Sequence, residues 1–346
     1  MILFVATDAG GAKELIPVIK EAKAKNKEFE VIGSDVTIPI FSDFGIEAKE
    51  TSITSKEEAD KLLNELNPSS VCIGTTGVIK AERYLTQSAR DLNIKTVAAL
   101  DEWYNYALRF EDEDKNIGKY LPDIICVQDE ISLELAKAEG LPEANLKITG
   151  SVSLSELSKL KSPEFPEILK PAGDRTSILF VSEPLKRAYG EKPGDEGTHG
   201  GFLGFHEEIV RQLLADHLSK LDKEFFVLEK MHPSQKDTLD SPECGPNVEW
   251  VSSADPMPII PLLWHADLVV GMRSKALLEA AILGKKPISI QPNTDDPEKC
   301  TAVRLGVCEL QTDELNLVEG SENQEIPEFP FADEDAAVNV LNLLLT

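Results

Sequence analysis

The chain has 346 residues, 42% hydrophobic and 28% charged, the balance of an ordinary soluble globular protein. Its 35 Lys and Arg face 61 Asp and Glu, a formal net charge of −26. That argues against nucleic acid and anionic membranes as partners, since both are held largely by clustered Lys and Arg, but it leaves room for a small anionic substrate in a local cationic pocket.

In chain order, ILFVA (2–6) predicts a first strand. With no basic n-region it is not a signal peptide. The Gly10-Gly11 turn and the helix-period segment AKELIPVIKEAKAK follow. FEVIGSD (29–35) is the next strand, SKEEADKLLNEL (55–66) an amphipathic helix opened by Ser55, SSVCIG (69–74) a buried strand, and VIKAERYLTQSARDL a further helix. IKTVAAL (94–100), DIICVQ (123–128) and LKITGS (146–151) complete the first half. The Pro-rich stretch 158–176 is the best linker candidate. The pattern then restarts with TSILFVS (176–182), the helix FHEEIVRQLLADHLSKL (205–221), and the strands EFFVLEK (224–230), NVEWVSS (247–253), ADLVVG (266–271) and KPISIQ (286–291). DEDAAVNVLNLLL (333–345) is a closing helix. Such alternation predicts parallel sheets buried on both faces. The expected fold class is therefore α/β, with two doubly wound Rossmann-like domains, 1–160 and 172–330, a cleft between them, and the 333–346 helix packing back on the first. No apolar run approaches the ~20 residues of a membrane span. The five cysteines, Cys72, Cys126, Cys244, Cys300 and Cys308, are irregularly spaced without C-x-x-C, as in reduced cytosolic proteins. A cytoplasmic location is expected.

Ligands of open α/β sheets bind beyond the carboxyl ends of the strands. At one such end lie Gly271, Arg273, Ser274 and Lys275, where a strand turns into a helix. Helix-start N–H groups attract anions, the Ser274 hydroxyl can donate to a phosphate, Arg273 or Lys275 can supply charge, and Gly271 lets backbone approach. A serine there is equally what a helix N-cap selects. His232, Pro233 and Ser234 end EFFVLEKMHPS, where a rigid loop presents an imidazole able to donate to phosphate. Asp101 directly follows IKTVAAL, so Asp101 or Glu102 is the candidate general base, unless the pair is simply an acidic helix N-terminus beside Trp103. Gly10 and Gly11 either admit a sugar or phosphate to backbone N–H groups or form a tight turn. Residues 183–204 are a long Gly-rich loop, as in lids and binding loops. Lys186 and Arg187 at its start either reach a phosphate or are solvated. His199 and His206, with Asp195 and Glu196, match no metal-ligand spacing, so no metal site is expected.

The His232-Pro233 pair, followed by G-x-R-S-K-A-L-L-E-A-x-x-L-G-K-x-P over 271–287, resembles the donor half of GT-B-fold glycosyltransferases. The nearest group is the bacterial one that includes CMP-sugar-dependent sialyltransferases and CDP-alcohol phosphotransferases. ALDEWYNYALRF (99–110) and LPDIICVQDEISLELAKAEGLPEANLKITGS (121–151) resemble a recurring segment of bacterial surface-polysaccharide proteins. The resemblance implies that His232 and Ser274 hold nucleotide phosphates and that Glu279 meets the ribose, although a helical wheel sets Glu279 about 140° from Ser274. It also implies an acidic pair followed by glycine; here Trp103 follows Asp101-Glu102. The implied function is a metal-independent glycosyltransferase of surface polysaccharide or glycoconjugate synthesis. It would take a nucleotide-sugar donor and a carbohydrate or glycolipid acceptor, with no cofactor beyond the nucleotide-sugar substrate. Two alternatives stand beside it. QPNTDDPEKC (291–300) resembles the T-E-R-P-E motif of nucleotide-sugar 2-epimerases, with Asp296 in place of its arginine. A non-catalytic nucleotide-sugar-binding protein is the other.

Overall fold

A computed structural model describes residues 1–51, 53–77, 81–232, 234–235, 240–255, 257–312, 314–317, 329 and 331–346. The chain divides into two compact units, residues 1–159 with 329–346 and residues 160–328.

The first unit is built on a seven-stranded parallel sheet of β1 (Ile2–Ala6), β2 (Phe29–Gly33), β3 (Lys49–Glu50), β4 (Ser70–Ile73), β5 (Lys95–Ala99), β6 (Ile124–Val127) and β7 (Leu146–Ile148), in the order β3-β2-β1-β4-β5-β6-β7. Side chains alternate across a strand. Phe4 of β1 therefore packs on one face with Leu15, Ile19, Val97 and Leu341. Leu3 and Val5 pack on the other with Leu63, Val71, Leu85 and Ile125. Both faces are covered, which is why β1 is apolar throughout. Helix Ala9–Ala24 is opened by Asp8, whose carboxylate accepts the Gly10 N–H at 3.0 Å. Helix Glu130–Ala138 begins with a reciprocal cap between Asp129 and Ser132. The C-terminal helix Ala336–Leu345 buries Val340, Leu341 and Leu344 in the core that Phe4 shares.

The second unit carries a six-stranded parallel sheet of β8 (Thr176–Val181), β9 (Phe225–Lys230), β10 (Val248–Ser253), β11 (Leu268–Gly271), β12 (Ile288–Ile290) and β13 (Glu309–Gln311), in the order β10-β9-β8-β11-β12-β13. Phe180, Val227, Trp250 and Val270 share a core with Val210 and Leu214 of helix Glu207–Leu218. A buried ion pair pins β9 to that helix. Glu229 Oε2 accepts from Arg211 Nε at 2.9 Å, Trp250 Nε1 at 3.0 Å and Ser252 Oγ at 2.6 Å.

Both sheets run outward through three strands and then return to the other side of the first. The reversal falls between β1 and β4 in one unit and between β8 and β11 in the other. These topological switch points are where such sheets bind ligands.

Several expectations are corrected by the structure. The two-residue β3 and the three-residue β13 were not foreseen. The 158–176 linker contains a 3-10 segment, Glu167–Ala172, and the 183–204 loop contains the short helix Leu185–Tyr189. Among the described residues, no helix is long and apolar enough to cross a membrane.

Candidate functional site

In the second unit, β8 ends in Ser182-Glu183, β9 in Lys230-Met231-His232, and β11 in Gly271, which leads through Met272, Arg273 and Ser274 into helix Lys275–Ile282. The N–H groups of that last turn are the ones the sequence assigns to a phosphate. Here a carboxylate of the protein holds them. Glu183 Oε2 accepts the Arg273 N–H at 2.7 Å and a second bond from the Ser274 N–H. The residue is partly exposed, but its carboxyl is enclosed. Burial pushes its pKa up to about 7, against the downward pull of those two N–H groups and the Arg273 guanidinium. Ser274 is the N-cap, its Oγ accepting from the Ala276 N–H at 3.3 Å. Lys275 is the first residue of the helix, and Glu279 is half-buried further along it. Gly271 packs tightly, since a Cβ there would lie 3.3 Å from the Val181 carbonyl.

Around β9 the donors are cationic. His232 Nδ1 lies 2.8 Å from Ser234 Oγ and accepts the Ser234 N–H at 3.1 Å. In the neutral ring the proton therefore sits on Nε2, which is left as a donor. Partial enclosure of the ring lowers the His232 pKa, and the nearby Arg187 and Lys230 add to the effect. Arg187 Nη2 donates to Ser234 Oγ at 2.8 Å. Pro233 lies outside the described residues. Lys186 does not join the cluster: its ammonium pairs with Glu191 at 3.0 Å and Glu208 at 3.1 Å.

A cavity of about 890 Å³ opens beside Arg273, between the 193–205 loop and residues 293–296 with Lys299. Gly204, at φ +94°, lets the loop backbone sit against that of Asn293; a Cβ there would come within 2.2 Å of the Asn293 carbonyl oxygen. The Arg273 guanidinium lies over the Tyr189 ring at 5.4 Å, and its buried Nε has no hydrogen-bond partner among the described residues.

In the first unit, Asp101 follows β5 and is 8% exposed. Its Oδ1 accepts from Arg109 Nη1 at 2.7 Å, and the same nitrogen donates to Thr75 Oγ1 just after β4. The buried guanidinium is disfavoured by its burial, but the Asp101 carboxylate outweighs this and raises the Arg109 pKa. Glu102 is half-buried beside it. At β1, Thr7 donates to Glu82 through its N–H at 2.6 Å and its hydroxyl at 2.7 Å. The room that Gly10 and Gly11 leave is filled from within the protein. A Cβ on Gly10 would lie 1.9 Å from Asp101 Oδ2, and one on Gly11 would lie 2.9 Å from Gly74 Cα. No helix starts at Asp101. Trp103 is fully buried, stacked edge-on against Phe331 at 5.2 Å, and donates to Asp129 at 2.9 Å.

The structure thus gathers His232, Ser234 and Arg187 into one cluster and sets Arg273, Ser274 and Lys275 at the β11 turn. It places Asp101 at the edge of the other sheet. Sequence reasoning missed Glu183, Lys230 and Arg109. Glu183 and Lys230 each end a strand, the position already used to choose Asp101 and His232, so the same rule could have found them. Arg109 ends the 3-10 turn Ala107–Arg109, away from any strand end, and carries no such signal.

No protein-family model matches the sequence, and no curated protein does so either. Among solved structures, the fold is similar to UDP-GlcNAc 2-epimerase from Methanocaldococcus jannaschii (TM-score 0.65, 14% identity, 99% of each chain). It is also similar to UDP-GlcNAc 2-epimerase from Neisseria meningitidis bound to UDP-GlcNAc (TM-score 0.64, 16% identity, 99% of each chain). MurG from Acinetobacter baumannii is a further match (TM-score 0.52, 12% identity, 90% of this chain and 86% of that one). At these identities the likeness establishes the fold, a GT-B-like pair of Rossmann-type units.

Proposed function

We propose that the chain is an enzyme acting on a nucleotide-activated sugar, and that its reaction is inversion at C2 of a substrate such as UDP-GlcNAc. The observation that carries this reading is the extent of the likeness. The two 2-epimerases match end to end, whereas MurG matches less of the chain and at a lower TM-score. The 2-epimerase reading thus takes precedence over the glycosyltransferase one to which the sequence resemblance points. The residues support it chemically. Inverting a carbon centre needs a group that moves a proton, and Asp101 with Glu102 supplies carboxylates at a strand end. A nucleotide's phosphates need fixed positive charge and hydrogen-bond donors, which Lys230, His232 and Arg187 at the ends of β8 and β9 carry. In this reading side-chain cations, and no metal ion, supply the charge.

Glycosyl transfer stays as the second reading because the likeness to MurG joins the sequence resemblance of 271–287. Incubation with UDP-GlcNAc and separation of the products tests both. Epimerisation yields a second UDP-sugar of unchanged mass. Transfer yields free UDP only when an acceptor is added. Neither product, with UDP still raising the melting temperature, would mean a binding protein. Asp101→Asn is expected to lower turnover by about 10²–10⁴-fold with UDP affinity retained; undiminished turnover would remove Asp101 from the chemistry.

A further inference from the structure

Lys230 is a buried cation for which the proposed reaction has so far found no use. It closes β9, is 7% exposed, and lies in register with Val181 of β8 and Ser253 of β10. Its ammonium donates to the Met231 carbonyl at 3.2 Å. Among the described residues it forms no ion pair, and Asp255 attracts it only from further away. A buried charge without a counter-charge is strongly unfavourable. Such a group is retained where an anion completes it. Two other cationic side chains stand near. His232 is two residues on, with Nε2–H as its remaining ring donor, and Arg187 is held beside it through Ser234 Oγ at 2.8 Å. Lys230 and Arg187 are both close enough to disfavour a proton on His232, so the three form one positive locus that has no internal carboxylate bond among the described residues. The neighbouring β11 turn is the reverse case, because Glu183 already accepts from the N–H groups of Arg273 and Ser274.

We infer that the ligand's anionic group is held at the ends of β8 and β9 by Lys230, Arg187 and the Nε2–H of His232, and not by the Arg273 and Ser274 N–H groups of the β11 turn, which Glu183 already engages. The ligand class is a phosphate or diphosphate ester, whose several oxygens can accept from three separate donors at once. The inference rests on the nucleotide-sugar reading only for what the phosphate is attached to.

Calorimetric titration of the full chain with inorganic pyrophosphate and with UDP, at one fixed ionic strength, tests it. The wild type is expected to bind both. Lys230→Met should weaken both by about tenfold or more, as loss of a charge-assisted contact does, and Lys230→Arg should restore most of the affinity. The melting temperature of Lys230→Met should not fall, because the variant removes a desolvated charge. Arg187→Met, on an exposed side chain outside the core, is the second variant and should weaken pyrophosphate binding too. Unchanged affinity for both ligands in Lys230→Met would overturn the inference, as would a wild type that binds neither. Lys230-dependent pyrophosphate binding, with UDP bound no more tightly than pyrophosphate, would uphold the anion site and refute the nucleotide reading instead.

Discussion

Glu183 shows how a single side chain changes the meaning of a motif. Gly271 to Lys275 has the composition of an anion-binding turn, yet its N–H groups serve a carboxyl from the adjoining strand end. That carboxyl has a pKa raised to about 7, chiefly by burial. A carboxyl that binds its proton more tightly when folded contributes stability below its unfolded pKa, near 4.5, and loses it as pH rises through the folded value. Glu183→Gln keeps an acceptor for the same N–H groups but does not titrate. The stability of Glu183→Gln relative to wild type should therefore climb as pH goes from 5 to 8, by an amount on the order of 1–3 kcal/mol, and then level off. Melting curves across that range check it; a constant difference would mean that the carboxyl is not enclosed as described. None of this was legible in the sequence. The rule that strand ends carry function picked Asp101 and His232 as candidates, but what Glu183 and Lys230 bond to depends on which strands lie side by side. The order β9-β8-β11 is a tertiary fact.

Elements were the most legible scale, and the reason is periodicity. A strand buried on both faces is largely apolar, so the runs in ILFVA, SVCI and TSILFV declare themselves. The strands that escaped notice, Lys49–Glu50 and Glu309–Gln311, lie at sheet edges, where short polar segments pair on one side only. The Gly10-Gly11 pair was ambiguous between ligand access and a tight turn, because a sequence does not show what fills the space a missing Cβ leaves. In the structure, the start of helix Ala9–Ala24 meets the end of β4 backbone to backbone at Gly11 and Gly74. Gly11→Ala would favour the helix intrinsically by about 1 kcal/mol, but its Cβ would fall 2.9 Å from Gly74 Cα, and a backbone cannot rotate away as a side chain tip can. A net destabilisation of about 1–3 kcal/mol is expected, read from urea unfolding. A stabilised variant would show that the two elements are not in contact there.

At the scale of the whole chain, a formal charge of −26 surrounds a small set of cations at the end of one sheet. In the proposed reading an anion is admitted by local geometry, and not by the protein's overall field. The two-unit α/β architecture was legible because the strand–helix alternation stops at a Pro-rich stretch and begins again. The choice between epimerase and transferase was not, since both use this fold and fold alone does not fix function. The resemblance of 271–287 leans toward transfer, and the end-to-end likeness leans toward epimerisation. Proton NMR of UDP-GlcNAc incubated with the protein in D₂O separates them most directly. Inversion at C2 through proton exchange predicts that the C2 proton signal decays as solvent deuterium enters, while a C2 epimer accumulates. A C2 proton that persists undiminished, with or without release of UDP, would contradict the account.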